Sequence, residues 1–545
     1  LKKEHLAGAQ VHGTRLVLII VSLMASLLLA ALDSTIVSTA MKTIVGELQG
    51  VELYAWPFTI YMLCSTVIIP ISGGLADIFG RKPLFLVGIF IFLAGSALCG
   101  LSQSMLWLIL FRGIQGIGGG ILTTCVFTIV ADLFPPQLRA KYMGIVTSVF
   151  GLASIIGPLI GGLITDYLSW RWIFYINVPI GAVAVLLILL FMPNFKTAER
   201  RNRIDIPGVV FAVLTLVPML LAFSLAGSAF TWGSIQIIGL FILSAVMLVV
   251  FVVAENRSPN PIIPMSFFKD RAIGISLVIG FLSSAVMYAA IIYIPYFVQG
   301  ILGTSATTSG AVTIPMTIAL MVTSNVVGVF ASHRNTWYMP LTVAAFVLAA
   351  AGTLLLSMMN VSIPYASVIL YMVLLGGGLG ITMPIVGSNV QNAAPVEQLA
   401  AATGAGQFFR TIGSTVGSAI FGTIMTSSMA KGFQSLDLSA VPEGIRAALR
   451  NPQVITDTAA LNQIVGQAQP GQAEAVTAAV AGAKNVLLGG IHNVFFFCVI
   501  IAVVGIVLSF FFKGAPMKIV HLGRPPQGGQ PGGVSEKNKP EAASE

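Results

Sequence analysis

Long apolar runs, separated by short clusters of charge, set the pattern of this chain. The first runs from Leu16 to Ala40, and Asp33 is its one charge between Arg15 and Lys42. A second covers about Leu53 to Ala76 and stops at Asp77. Two more follow Pro83, turn at Ser102-Gln103-Ser104 and close at Asp132. A fifth spans about Tyr142 to Thr165 and a sixth Trp172 to Met192, before the basic cluster Lys196, Arg200, Arg201 and Arg203. At ~1.5 Å per residue, runs of about 20 residues cross a ~30 Å hydrocarbon core as helices. Barrel strands would alternate apolar and polar residues, and these runs do not.

No charge occurs from Ile206 to Ala254, which is long enough for two spans around a turn at Gly227-Ser228 to Gly233-Ser234. Two spans follow Arg271, broken near Gly300 to Ser309, and two follow His333-Arg334, broken near Asn360 to Pro364. One starts after Glu397 and holds Arg410, and the last runs from about Val486 to Phe512. The expected fold is an all-α polytopic membrane protein of six, then two, then six helices, fourteen in all. Residues 1–15 are an N-terminal segment, 16–195 a six-helix bundle, 196–271 loops with two linker helices, and 272–512 a second six-helix bundle. An outer loop, 431–484, lies within that bundle, with helix-like patches at Ile445 to Leu449 and Ala459 to Val465. Residues 513–545, rich in Pro, Gly and charge, are expected to be disordered.

Composition agrees: 56% of the 545 residues are hydrophobic and 9% charged, against about 25% charged in soluble domains. The net charge of +9 does not indicate nucleic acid, because the basic residues lie between apolar runs, where they set topology. Arg81, Lys82, Arg139, Lys141, Arg200 and Arg271 gather on one side, and Lys42 and Arg171 alone on the other's short loops. Both termini are therefore expected in the cytoplasm. A signal peptide fails because the first run is too long and many more follow. The four cysteines lie far apart in apolar runs and the five histidines show no ligand spacing, so neither a disulfide framework nor a metal site is expected.

A lone carboxylate inside a span costs ~2.5–3.5 kcal/mol on insertion scales, and such residues usually mark ion or substrate paths. At ~1.5 Å per residue, Asp33 lies about 25 Å from Leu16, and Arg112 about 10 Å from Met105 at the outer end of its own helix. The two sit at similar depth and could pair or share water. Four motifs surround them. Gly73-Gly74-Leu75-Ala76-Asp77-Ile78-Phe79-Gly80-Arg81-Lys82 puts an acid and two bases in a glycine turn, without Walker A spacing. Arg112-Gly113-Ile114-Gln115-Gly116 opens a glycine-rich stretch that no strand precedes, which excludes a dinucleotide fingerprint. Gly157-Pro158-Leu159-Ile160-Gly161-Gly162 combines a kink with a close-packing face. Trp170 to Pro179 reads as an interfacial aromatic belt.

Together these motifs resemble those of the major facilitator superfamily. The Asp77 loop resembles its signature between helices two and three, and Arg112 with Gln115 and Gly116 its proton-transfer motif. Gly157-Pro158 with Gly161-Gly162 resembles its antiporter motif. Leu32-Asp33-Ser34-Thr35-Ile36-Val37 resembles the helix-one motif of the fourteen-helix drug:proton antiporters of the EmrB/QacA type. The resemblance covers about Arg15 to Phe512. That helix-one motif often continues Ala-Leu-Pro, whereas here it is Ala40-Met41-Lys42, and a cation at the outer mouth weakens attraction of cationic drugs. The second-half echo of the Asp77 loop, Gly328 to Arg334, lacks an acid. The last six helices carry no evident intramembrane acid, which argues against divalent-cation export. Gly406-Gln407-Phe408-Phe409-Arg410-Thr411-Ile412-Gly413 with Gly417 sits where helix five would recur.

The resemblance implies proton-coupled efflux, by alternating access, of lipophilic and often cationic drugs or toxic compounds across the cytoplasmic membrane. The alternative is a dedicated proton-coupled exporter of a native lipid, metabolite or antibiotic. Asp33 and Arg112 are the proton-coupling candidates. Asp77, Arg81 and Arg139 would form a gate latch of charge pairs, with Gly157 and Pro158 also in gating. Trp56, Tyr61, Gln115, Tyr293, Asn325, Asn389, Phe408 and Phe409 are substrate-contact candidates. The expected partners are drug molecules, protons and membrane lipid. A monomer is expected, with no cofactor, metal or enzymatic activity, and nothing indicates a periplasmic adaptor.

Overall fold

The computed structural model describes residues 13–48, 53, 56–193, 205–226, 230–259, 261–303, 306–333, 338–436, 441–449, 466, 473–512 and 514. The first six long helices are α1 (Thr14–Leu48), α2 (Trp56–Phe79), α3 (Arg81–Gly100), α4 (Met105–Leu133), α5 (Pro136–Tyr167) and α6 (Trp172–Phe191, with a break at Ile176). A pair follows, α7 (Ile206–Leu225) and α8 (Ile235–Arg257). The second set is α9 (Arg271–Tyr296), α10 (Ala306–His333), α11 (Tyr338–Ser357), α12 (Tyr365–Ala393), α13 (Leu399–Gln434) and α14 (Ala473–Phe510). Twelve spans among the described residues are long and apolar enough to cross a membrane. The two remaining long helices, α5 and α13, pack between them and are rich in glycine and hydroxyl side chains, which lowers their apolarity.

The helices form two similar bundles. α5 packs on α1 and α10, and α13 packs on α9 and α2, so the second half repeats the first. Phe85, Ile89, Phe92, Leu122 and Val126 centre the first core. Phe346, Met372, Leu375, Phe421 and Phe495 centre the second. α7 lies across the seam and touches both α2 and α13.

Several helices exceed the apolar runs that announce them, because tertiary packing carries them further. α1 continues past Lys42 to Leu48, since Ile44 and Val45 bury against Trp170, Ile173 and Phe174. α5 begins at Pro136 rather than near Tyr142; proline suits the first helical turn, where an N–H has no partner. α13 runs on to Gln434, and α14 starts at Ala473, where Val476, Ala479 and Ala483 join the second core. Both ends of the expected loop 431–484 are therefore helical. A short helix, Glu443–Leu449, holds one of its two helix-like patches. The other patch, the whole basic cluster at 196–203, Arg334 and nearly all of the 513–545 tail lie outside the described residues.

One end of the bundle carries Asp77, Arg81 and Arg139, here the arginine end. The opposite end carries Glu47, Trp170 and Arg171, here the tryptophan end. The halves touch closely toward the arginine end. A Cβ at Gly73 would lie 2.6 Å from the carbonyl oxygen of Ala400, and one at Gly144 2.6 Å from that of Ser324. Toward the tryptophan end a cleft of about 360 Å³ separates α2, α7, α9 and α13, with Phe58, Met62, Phe223, Tyr288, Thr415 and Ser418 among its walls.

Candidate functional site

Asp33 sits in the middle of α1, with 1% of its surface exposed, facing α4. Arg112 and Gln115 lie three residues apart on α4 and share one face, as helical neighbours do. Arg112 Nη1 donates to Asp33 Oδ2 in a fully buried ion pair. Gln115 Nε2 donates to the other carboxylate oxygen at 2.8 Å, and its own Oε1 accepts from Arg112 Nη1 at 2.9 Å. Arg112 Nε reaches the Pro57 carbonyl oxygen at 3.3 Å, and the guanidinium lies 4.2 Å from the centre of the Tyr61 ring. Arg112 Nη2 is buried without a hydrogen-bond partner. A carboxylate held by a cation and an amide is a charged group kept dry, and breaking such a pair leaves an uncompensated charge worth ~3–5 kcal/mol.

α5 approaches α1 two residues, about half a turn, beyond Asp33. Thr35 Oγ1 donates to the Ala153 carbonyl oxygen at 3.2 Å, and a Cβ on Gly157 would collide with that hydroxyl. Glycine at 157 is thus what lets α5 lie on α1 beside Asp33. The side chains of Pro158 and Lys42 lie outside the described residues.

Of the expected latch residues, Asp77 and Arg81 form a charge pair. The charge pairs stay inside the first half: Arg81 meets Asp77 and Asp132, each at 2.9 Å. Gly80, at φ 89°, turns the chain tightly enough to set Arg81 four residues after Asp77. What crosses the seam is hydrogen bonding. The backbone N–H of Ala401 donates to Asp77 Oδ2 at 3.1 Å. Ala401 lies in the first turn of α13, where N–H groups lack intrahelical partners and the helix dipole favours an anion. Gln398, before that helix, makes no side-chain cap of its own. Asp77 therefore caps a helix of the other half. Arg139 does not join Asp77. Its Nη1 donates to the Gln391 carbonyl oxygen at 3.2 Å and to Asn392 Oδ1 at 3.0 Å. Gln391 returns a bond to the Phe127 carbonyl oxygen at 3.1 Å.

The substrate-contact candidates scatter, and none of the eight lines the 360 Å³ cleft. Tyr61 and Gln115 belong to the Asp33 cluster. Tyr293 is in the second core, 6.1 Å from the Tyr296 ring. Asn389 ties α12 to α9 through Ser276 Oγ at 3.0 Å. Phe408 packs on Leu63, Val67 and Leu216 at the seam, and Phe409 lies 6.0 Å from Phe268. Asn325 bonds its own helix at the Met321 carbonyl oxygen, 2.8 Å away, and Trp56 is half-buried at the start of α2. Sequence reading assigned no role to Asp132, Gln391, Asn392 or the Ala401 N–H. A signal existed for Asp132, an acid closing α4 at the end where Arg81 opens α3. A backbone N–H leaves no signature in sequence.

Comparison with known proteins places this geometry. The profile described as "Major Facilitator Superfamily" matches residues 23–418. The chain is 37% identical over 513 residues to "Multidrug transporter protein MdtP" of Bacillus subtilis (strain 168), covering 92% of this chain and 93% of that one. It is 40% identical over 412 residues to "Multidrug resistance protein 3" of the same organism, covering 75% and 79%. Among solved structures, the human organic anion transporter MFSD10 (TETRAN) aligns at TM-score 0.57 and 15% identity, over 90% of this chain and 100% of that one. The proton:xylose symporter XylE aligns at TM-score 0.55 and 13% identity, over 76% and 90%. These two likenesses concern the fold. The chain is a multi-pass membrane protein and a transporter rather than an enzyme: it belongs to the major facilitator superfamily.

Proposed function

We propose that this transporter exports lipophilic drugs or toxic compounds from the cytoplasm in exchange for protons, with Asp33 as the proton carrier. The observation that carries this reading is the Asp33–Arg112–Gln115 cluster, dry and beside the seam where α5 meets α1. The relatives named for multidrug transport and for multidrug resistance support the substrate class. In this reading all fourteen long helices cross the cell membrane, both termini are cytoplasmic, and the arginine end faces the cytoplasm.

The described conformation is then closed to the cytoplasm, with Asp33 paired to Arg112 and buried. Proton exchange at Asp33 needs the pair to loosen and water to reach it. Proton arrival would release Asp33 from Arg112 and free α1 to move against α4 and α5. Opening of the arginine end would break the Asp77–Ala401 and Arg139–Gln391 bonds and expose the centre to the cytoplasm. Proton loss there would restore the pair. A ligand shifts such a two-state equilibrium only by its differential affinity for the states, and here the proton is that ligand.

The test is dye efflux from proteoliposomes under an imposed pH gradient. The wild type should move a lipophilic dye against its gradient, and Asp33→Asn should show only the leak of protein-free vesicles. Gradient-driven efflux by Asp33→Asn would overturn the assignment.

A further inference from the structure

One half-buried charge takes no part in the cluster or the latch. Arg410 lies on α13, eleven residues after Leu399, which puts it ~17 Å from the arginine end, near the middle of the bundle. Its stem crosses α9 at Gly280, where a Cβ would stand 3.3 Å from Arg410 Cγ. Its guanidinium donates to Gln407 Oε1 at 3.3 Å, and no acid among the described residues pairs with it. Arginine has five N–H donors, so one long bond leaves most of its capacity unused.

Arg410 lines two adjoining spaces that also share Met383 and Val386. One is walled by Ser283, Ser284 and Thr382 of the second half. The other lies between the halves, against Phe127, Met143 and Thr147 of the first. Each is about 20 Å³, the room of a single small group. Both halves wall the second space, so it widens when they part. It offers hydroxyls, amides, apolar surface and one uncompensated positive charge.

We propose that Arg410 anchors an anionic group of the transported molecule, so that the substrates include lipophilic compounds bearing one acidic group. The inference rests on the efflux reading and narrows its substrate class. A planar guanidinium with free donors recognises a carboxylate by paired hydrogen bonds. The same charge repels a cation brought to the same place, and the described residues of the second half hold no acid at that site to offset it.

The test uses a matched pair of fluorescent probes, dansylglycine and its neutral amide, with the full chain in detergent and in proteoliposomes. The wild type should bind the acid about tenfold or more tighter than the amide, the effect of a charge-assisted hydrogen bond. Arg410→Gln should abolish that preference while amide binding changes by less than about twofold, and Arg410→Lys should retain part of it. Equal binding of the two probes by the wild type would overturn the proposal without any variant being needed. So would an acid preference that survives Arg410→Gln. If the acid is preferred yet no probe moves under an imposed gradient, the efflux reading fails and the anion site stands. If probes move without any preference, the anion site fails alone.

Discussion

In the first half, Asp33 and Arg112 face each other across α1 and α4, and Arg81 holds both Asp77 and Asp132. In the second half, Arg410 sits at mid-bundle with one glutamine at 3.3 Å, and no ion pair occurs among the described residues of α9 to α14. The backbones repeat each other, while the charges do not. A repeated fold with charge balanced on one side and unbalanced on the other separates two tasks. Paired groups can trade a proton for a partner, whereas an unpaired one is available to a ligand.

The largest break in this comparison comes from Asp33→Asn. It should abolish gradient-driven efflux, and it strands Arg112 in a dry site at ~3–5 kcal/mol. The double variant Asp33→Asn, Arg112→Gln should recover most of the lost thermal stability and none of the coupling. Thermal unfolding in detergent and vesicle efflux, measured side by side, separate the two effects. Recovery of coupled efflux in the double variant would remove Asp33 from the proton path.

The same logic gives opposite signs for two arginines. Arg112→Gln removes the partner of a buried acid and should lower stability by about 3 kcal/mol or more. Arg410→Gln removes a cation that no acid offsets, and should leave the melting temperature unchanged or raise it. Equal losses in the two melts would mean that Arg410 has a structural partner, and the contrast between the halves would collapse.

Much of this was legible in the sequence because bilayers impose simple rules. Apolar runs of about 20 residues announced the helices, and single charges within runs announced Asp33 and Arg112. Depth could be counted along each helix. The direction in which a side chain faces could not, so the place of Gln115 and Tyr61 around Asp33 was not legible. Phe408 and Phe409 follow the same rule: an aromatic on a membrane helix packs unless the fold turns it toward a cavity. Helix ends set by packing beyond the apolar run, as at Ile44 and Val476, were also out of reach. The bond from the Ala401 N–H to Asp77 was hidden for another reason, because only the docking of two halves creates it.

That bond predicts an intermediate effect. Asp77→Asn keeps a hydrogen-bond acceptor at the start of α13 but loses the charge that suits a helix N-terminus, worth ~0.3–1 kcal/mol and up to ~2 when partly buried. It also leaves Arg81 with Asp132 alone. The equilibrium should therefore shift away from the closed arginine end by about twofold to fivefold, and by up to about thirtyfold. Cysteine labelling at 403, where Thr403 lines the space between the halves, in a background without the native cysteines, would read this as faster modification from the arginine side. Unchanged labelling would show that the seam is held by Arg139 and packing instead.

The smallest effect belongs to the exposed charge pair of the first half, at the tryptophan end. Arg171 Nη1 and Trp170 Nε1 donate to the Glu47 carboxylate at 2.5 and 2.7 Å, clamping α1 to the start of α6. These bonds hold the Glu47 carboxyl below its ordinary value, Arg171 contributing most. Its side chain is 49% exposed, so water screens the pair and its worth is ~0.2–1 kcal/mol. A group whose folded value is lowered stabilises the fold above its unfolded value, and that gain fades as pH falls through the lowered one. Wild type and Glu47→Gln should therefore differ slightly in melting temperature at neutral pH and converge on acidification. A gap that stays constant into acid would mean that packing of Ile44 and Val45 on Trp170, rather than charge, holds this corner.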